Sequence, residues 1–202
     1  MTWATPPRWP TPPWSTRSGS GPRRARTRSS GLADDDGLPE GARHWRWRAH
    51  PRPRGPAVVV DIDGVLSNAD TRQHFLEDKG RRNWRAFFDA CGEDTLIDEV
   101  GRLVELLDPG LVVVLLTGRP LRVQSLTMDW LERYGVRWDL LIMRTSGDYS
   151  ASREFKRATV KELRAHGFDL RLALEDDPRN REMFHEEGLP CIYIHSGYYE
   201  QY

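Results

Sequence analysis

The sequence predicts an α/β domain, a five-stranded parallel sheet with helices on both faces, behind a disordered N-terminal tail. Two observations predict the domain. Short aliphatic runs alternate with longer segments whose apolar residues recur at helical spacing. The runs are apolar throughout rather than alternating with polar residues, as strands buried on both faces require. A third observation separates the tail: the composition changes abruptly at Pro56.

Ala57-Val58-Val59-Val60-Asp61-Ile62 is a β-branched run and reads as the first strand. Leu111–Leu116, Leu140–Ile142, Leu172–Leu174 and Cys191–Ile194 supply the other four. Leu96, Val100, Leu103, Val104 and Leu107 share one helical face, ended by Asp108-Pro109-Gly110. Val123, Leu126, Trp130, Leu131 and Tyr134 form a second helix after Pro120, which suits a first turn. Phe155–His166 and Arg179–Glu187 complete the set. Thr71–Asp78 and Arg82–Ala90 add short helices, so that an insertion spans about residues 70–107. The domain from 56 to 202 would bury roughly 68% of its unfolded surface, enough for a stable core.

The chain is formally neutral, which alone would argue against a nucleic-acid or membrane surface. The neutrality is a cancellation. Residues 1–55 hold 11 Arg and 4 acids, +7, whereas residues 56–202 hold 19 basic and 26 acidic residues, −7. The first 55 residues also contain nine prolines and few large aliphatics, too little apolar surface to offset the entropy of folding. They are expected to be disordered. The cluster Arg23–Arg28 could attract phosphates and Trp45 and Trp47 could stack on bases; the plainer reading is a solvated leader. Cys91 and Cys191, with no CxxC, indicate neither a disulfide framework nor a zinc knuckle. No apolar run reaches the ~18 residues of a membrane span, and no secretory h-region opens the chain. A cytoplasmic protein without a membrane partner is the expectation.

Chemistry collects at the carboxyl ends of the strands, where open α/β sheets place their ligands. The first strand runs into Asp61-Ile62-Asp63-Gly64. A carboxylate there is costly unless paired or metal-bound, and two at i, i+2 would point the same way along a regular strand. One can attack while the other exchanges protons. Glu175-Asp176-Asp177 ends the fourth strand and completes an oxygen-rich set suited to Mg²⁺. Thr117-Gly118-Arg119 ends the second and, read as the opening of a helix, makes an anion site. Lys156 adds a cation. Metal, nucleophile and phosphate cradle together indicate phosphoryl transfer, and the absence of GxxxxGK[ST] excludes a P-loop mechanism.

DIDGVLSN, LLTGRP, Lys156 within REFKR, and LALEDDPRN resemble, in this order, the motifs of the haloacid dehalogenase superfamily of aspartyl phosphatases. Arg72 eleven residues beyond Asp61, TGR rather than a bare Thr, and MRTSGDYSASREFK make the phosphatase half of phage-type polynucleotide kinase/phosphatases the nearest likeness. The resemblance implies a Rossmann-like fold with a minimal helical cap insertion. It implies Asp61 as nucleophile, Asp63 as general acid and then base, and Thr117 and Lys156 on the phosphoryl oxygens. It assigns Mg²⁺ to Asp61, Glu175, Asp176 and the Asp63 backbone carbonyl, and the substrate-phosphate pocket to Arg72, Gly118, Arg119 and Asp148. Glu175-Asp176-Asp177 stands where the nearest relatives have Asp-Asp-Arg, which leaves Asp177 as an alternative ligand. No kinase half is expected in residues 1–55, which are too short and too polar for one.

A short insertion leaves the site open, so the expected function is a Mg²⁺-dependent phosphomonoesterase acting on polynucleotide 3′-phosphates or nucleotides. A small-metabolite phosphatase with the same core is the nearer rival. A non-catalytic binding protein using the basic tail is the more distant one.

Overall fold

The computed structural model describes residues 44–49, 54–78 and 80–200. The expectation for most of the tail, including Arg23–Arg28, lies outside them. The domain strands form where the aliphatic runs stand: β2 (Pro56–Val60), β5 (Val112–Pro120), β6 (Leu140–Arg144), β7 (Asp169–Glu175) and β8 (Cys191–Tyr193). They pair in parallel in the order β6-β5-β2-β7-β8. The chain moves outward from β2 in both directions, so β2 is the topological switch point where a cleft opens.

A sixth strand joins this sheet. β1 (Trp45–Trp47) pairs antiparallel with β6, matching Trp45 to Ile142 and Trp47 to Leu140. The tail expected to end at residue 55 therefore contributes an edge strand, and the sheet is not wholly parallel. Trp45 is buried, its ring 5.0 Å from His166 and 6.0 Å from Phe168. That burial fixes the strand and removes Trp45 from any base-stacking role.

Successive residues of β2 serve opposite faces, as the pleat requires. Ala57 and Val59 pack with Val112, Val114, Phe155, Leu163 and Phe184 on one side. Val58 and Val60 pack with Val113, Leu115, Trp130 and Leu131 on the other. α4 (Ser152–Ala165) and α5 (Pro178–Glu186) cover the first face. α2 (Asp98–Glu105) and α3 (Gln124–Arg133) cover the second, α2 through Val100 and Val104.

The insertion after β2 is closed by a two-stranded sheet, β3 (Ser67–Asn68) against β4 (Thr95–Leu96). Between these strands lie a 3₁₀ turn at Asp70–Phe75, α1 (Trp84–Asp89) and a second turn at Cys91–Glu93. The cap is thus shorter than the expected span of 70–107, because α2 belongs to the core layer.

β5 also departs from expectation. It continues through Thr117-Gly118-Arg119 to Pro120, with an irregular register against β6 after Thr117. A 3₁₀ turn at Leu121–Val123 follows, and α3 begins at Gln124. Thr117 to Arg119 lie on a bulged strand end and not at a helix N-terminus. Among the described residues no helix is long and apolar enough to cross a membrane.

Candidate active site

Asp61 follows the last residue of β2. Its amide continues the ladder by donating to Leu174 O at 3.1 Å. Oδ1 accepts from Ile62 N at 2.8 Å, which orients the carboxylate. Oδ2 faces Lys156 Nζ at 2.7 Å. Lys156, buried in the second turn of α4, also reaches Glu175 Oε2 at 2.6 Å. Burial would discharge this ammonium, but Asp61 and Glu175 outweigh it and hold the pKa above the ordinary lysine value.

One ammonium does not balance the acids around it. Asp61, Glu175 and Asp176 have ligand oxygens within 4.8 Å of one another, and all three are buried. Burial pushes the Asp61 and Asp176 carboxyls well above the ordinary range, with the neighbouring carboxylates adding to the rise. Both oxygens of Asp176 are buried without a hydrogen bond; the Ser196 hydroxyl is near enough to ease its charge but not in bonding geometry. An orphaned buried carboxylate beside two others calls for a cation, and an all-oxygen set suits Mg²⁺. Asp177 turns elsewhere. Its side chain accepts from Arg179 N at 2.9 Å as the N-cap of α5 and binds the Arg179 guanidinium.

Asp63 does not share the direction of Asp61, because the chain leaves the strand at once and turns at Gly64, φ +79°. Its Oδ1 receives Arg119 Nε at 2.9 Å, Arg119 Nη2 at 2.6 Å and Arg72 Nη2. Burial raises the Asp63 carboxyl, but Arg119 and then Arg72 overcome it and hold it at about 2. Among the described residues these guanidinium bonds fall on Oδ1 rather than Oδ2. Behind the pair lies Asp94, fully buried, accepting from Arg72 Nε at 2.9 Å and Nη2 at 2.7 Å and from Arg119 Nη2 at 3.3 Å. Ser67 Oγ donates to Asp94 Oδ2, while Trp130 Nε1 binds the Asp94 carbonyl at 2.8 Å. Arg72 and Arg119 were expected to grip substrate phosphate. With 1% and 0% exposure they lie beneath Asp63, their charges committed to carboxylates.

Asp61, Asp63 and Lys156 line a cleft of about 1340 Å³, and Gly118 and Asp148 stand in its wall. Thr117, Glu175 and Asp176 lie just below its surface, Thr117 Oγ1 accepting from Arg119 N at 3.2 Å. Asp148 sits between β6 and α4, taking Ser150 N at 2.9 Å and Ser150 Oγ at 2.6 Å, with Arg144 4.0 Å away. Those bonds, the Ser150 hydroxyl first, hold its carboxyl below the ordinary value. Its carboxylate braces the loop through Ser150.

Asp94 and Asn180 were missed from sequence. Asn180 Nδ2 approaches Glu175 Oε1 at 3.3 Å and Ser152 Oγ at 3.4 Å. Asp94 comes under Asp63 only through the β3–β4 pairing, and no periodicity marks it. The one available signal was the acid pair Glu93-Asp94 between the insertion's short helices and the next aliphatic stretch.

Residues 55–199 match the family described as the polynucleotide kinase PNKP phosphatase domain. The chain is similar to a chain of the Pnkp1/Rnl/Hen1 complex, with 26% identity and a TM-score of 0.59 over 72% of this chain and 47% of that one. It is similar also to a chain of the Pnkp1/Rnl/Hen1 RNA repair complex, with 24% identity and a TM-score of 0.60 over 74% and 45%. It thus spans less than half the length of these two. The class C acid phosphatase from Bacillus anthracis with tungstate bound shares the fold, at 14% identity and a TM-score of 0.51 over 73% and 69%. No curated protein matches at a significant level.

Proposed function

The chain belongs to the polynucleotide kinase phosphatase-domain family, within the haloacid dehalogenase-type phosphoric monoester hydrolases, and we propose that it removes 3′-phosphates from polynucleotide ends with Mg²⁺ as cofactor. The observation that carries this reading is Asp61, paired with Lys156 and flanked by Glu175 and Asp176, on the floor of a cleft open enough for a chain end. At about 1340 Å³ the cleft exceeds the roughly 300–1,000 Å³ usual for a small-ligand pocket. The RNA repair complex among its likenesses supports the same substrate class.

Asp61 Oδ2 attacks phosphorus, and the bond to the leaving 3′-oxygen breaks. Asp63 is ionised at rest because two guanidiniums hold it so. The charge of an arriving phosphate opposes that ionisation, so Asp63 takes a proton from solvent as substrate binds and passes it to the leaving oxygen. Water then attacks the aspartyl-phosphate, its proton going to Asp63, and phosphate departs. Lys156 and Thr117 hold the phosphoryl oxygens, and the Gly118 backbone lines their approach. Asp61, Glu175, Asp176 and the Asp63 carbonyl would hold Mg²⁺, whose charge would offset that of the phosphoryl group. Arg72 and Arg119 act on the reaction through Asp63.

Phosphate release with Mg²⁺ tests the reading on 3′-phosphorylated oligonucleotide, 5′-phosphorylated oligonucleotide, 3′-mononucleotide and sugar phosphates. The 3′-phosphorylated oligonucleotide should be hydrolysed fastest. Equal rates on all four, or a preference for sugar phosphates, would overturn it in favour of a metabolite phosphatase.

A further inference from the structure

Trp84 opens α1 on the wall of the catalytic cleft and is 48% exposed, an unusual state for the largest apolar side chain. Its ring is not loose. It stacks on Phe88 at 5.9 Å and 27° and meets the edge of Phe87 at 5.7 Å. Asn83 Oδ1 caps the helix by accepting from Ala86 N at 3.0 Å. Arg122, arriving from the turn after β5, binds Asp89 and donates to Arg85 O at 3.1 Å. Phe87 in turn carries the Arg72 guanidinium 4.1 Å over its ring, and Arg72 holds Asp63. A continuous set of contacts therefore fixes the exposed indole relative to the proton-exchanging carboxylate.

We propose that Trp84, stacked on Phe88, is the platform for the nucleobase at a single-stranded 3′-phosphate end; this rests on the polynucleotide reading above. A rigid, half-open indole on the wall of a phosphate-cleaving cleft fits a flat aromatic group attached to that phosphate. The surroundings fit the rest of the strand. The cleft lining holds seven basic residues against six acidic, although the sequence from 56 to 202 carries −7. Four of the six acids are paired, Asp61 with Lys156, Asp63 with the buried arginines, Asp177 with Arg179 and Asp148 with Arg144. Arg85 and Arg122 lie on the wall beside the aromatic pair, and Arg144 lies in the lining at the loop between β6 and α4, where a backbone phosphate would pass. A base already paired in a duplex gains less from such a surface, because it is stacked before it arrives.

The test measures KM and kcat on a 3′-phosphorylated single-stranded oligonucleotide and on the same oligonucleotide with an abasic terminal nucleotide. The wild-type protein, Trp84→Ala and Trp84→Phe are compared. Loss of the base should raise the wild-type KM roughly tenfold, the scale of one base–aromatic stack, with kcat little changed. Trp84→Ala should show the raised KM on both substrates, and Trp84→Phe should recover most of the preference. Equal wild-type KM values on the two substrates would overturn the proposal without any substitution, whether or not Trp84→Ala folds. A folded Trp84→Ala that keeps the full preference would overturn it too. A wild-type protein inactive on oligonucleotides but active on sugar phosphates would overturn the substrate reading and this platform together.

Discussion

Gly64 approaches Asp176 so closely that a Cβ on Gly64 would stand 1.9 Å from Asp176 Oδ2. The same residue holds φ +79°, so it both turns the chain after Asp63 and leaves room for the carboxylate that follows β7. Gly64→Ala should cost about 1–2 kcal/mol in backbone strain before the clash is relieved. Displacing Asp176 should then lower metal-dependent turnover on the order of 10²-fold, as misplaced catalytic groups do. Gly197→Ala is the control, since Gly197 has φ +80° but nothing within 4 Å of its Cβ. Thermal unfolding should show a loss in both variants, larger for Gly64→Ala.

Asp94 holds two buried arginines in place, and its removal leaves their charges with Asp63 alone. Asp94→Ala should destabilise the fold by about 3–5 kcal/mol, the scale for breaking a buried ion pair. Denaturant unfolding measures the loss. Asp94→Asn keeps an acceptor for Ser67 and should lose less. Both variants should lose activity, because Asp63 is aimed by the guanidiniums that Asp94 fixes.

The acidic cluster predicts unequal responses to metal in two proteins. Wild type should gain about 2.7 kcal/mol at a hundredfold excess of Mg²⁺ over Kd, or roughly 5–10 °C in melting temperature. Asp176→Asn removes one of three mutually repelling buried carboxylates. It should melt higher than wild type without Mg²⁺, gain little on adding it, and lose turnover. Melting curves with and without Mg²⁺ check all but the last.

Neither cysteine should react with a thiol reagent in the folded protein. Burial raises the Cys91 thiol, and it pushes Cys191 up to about 12, with Glu175 adding to the effect. A raised thiol pKa leaves the neutral, unreactive form dominant through pH 8. Titration should find no reactive thiol in the native state and two in denaturant, the chain's full complement.

Strand positions and the Asp61–Lys156–Asp176 constellation were legible because apolar runs and strand-end chemistry are local signals. β1 was not, since three residues in a Pro- and Arg-rich stretch carry no period and owe their order to Trp45 packing on Phe168. The partners of Arg72 and Arg119 were not legible for a related reason. A sequence shows which charges exist, whereas burial against Asp94 decides whether they face a substrate or a carboxylate.

In the proposed reaction Asp61 takes the phosphoryl group covalently. Rapid acid quench of the protein with Mg²⁺ and a 3′-³²P-labelled oligonucleotide tests it most directly. Wild type should carry label that hydroxylamine discharges, while Asp61→Asn should carry none and turn over roughly 10⁴-fold slower or less. Undiminished phosphate release by a folded Asp61→Asn protein, with no label on wild type, would contradict it.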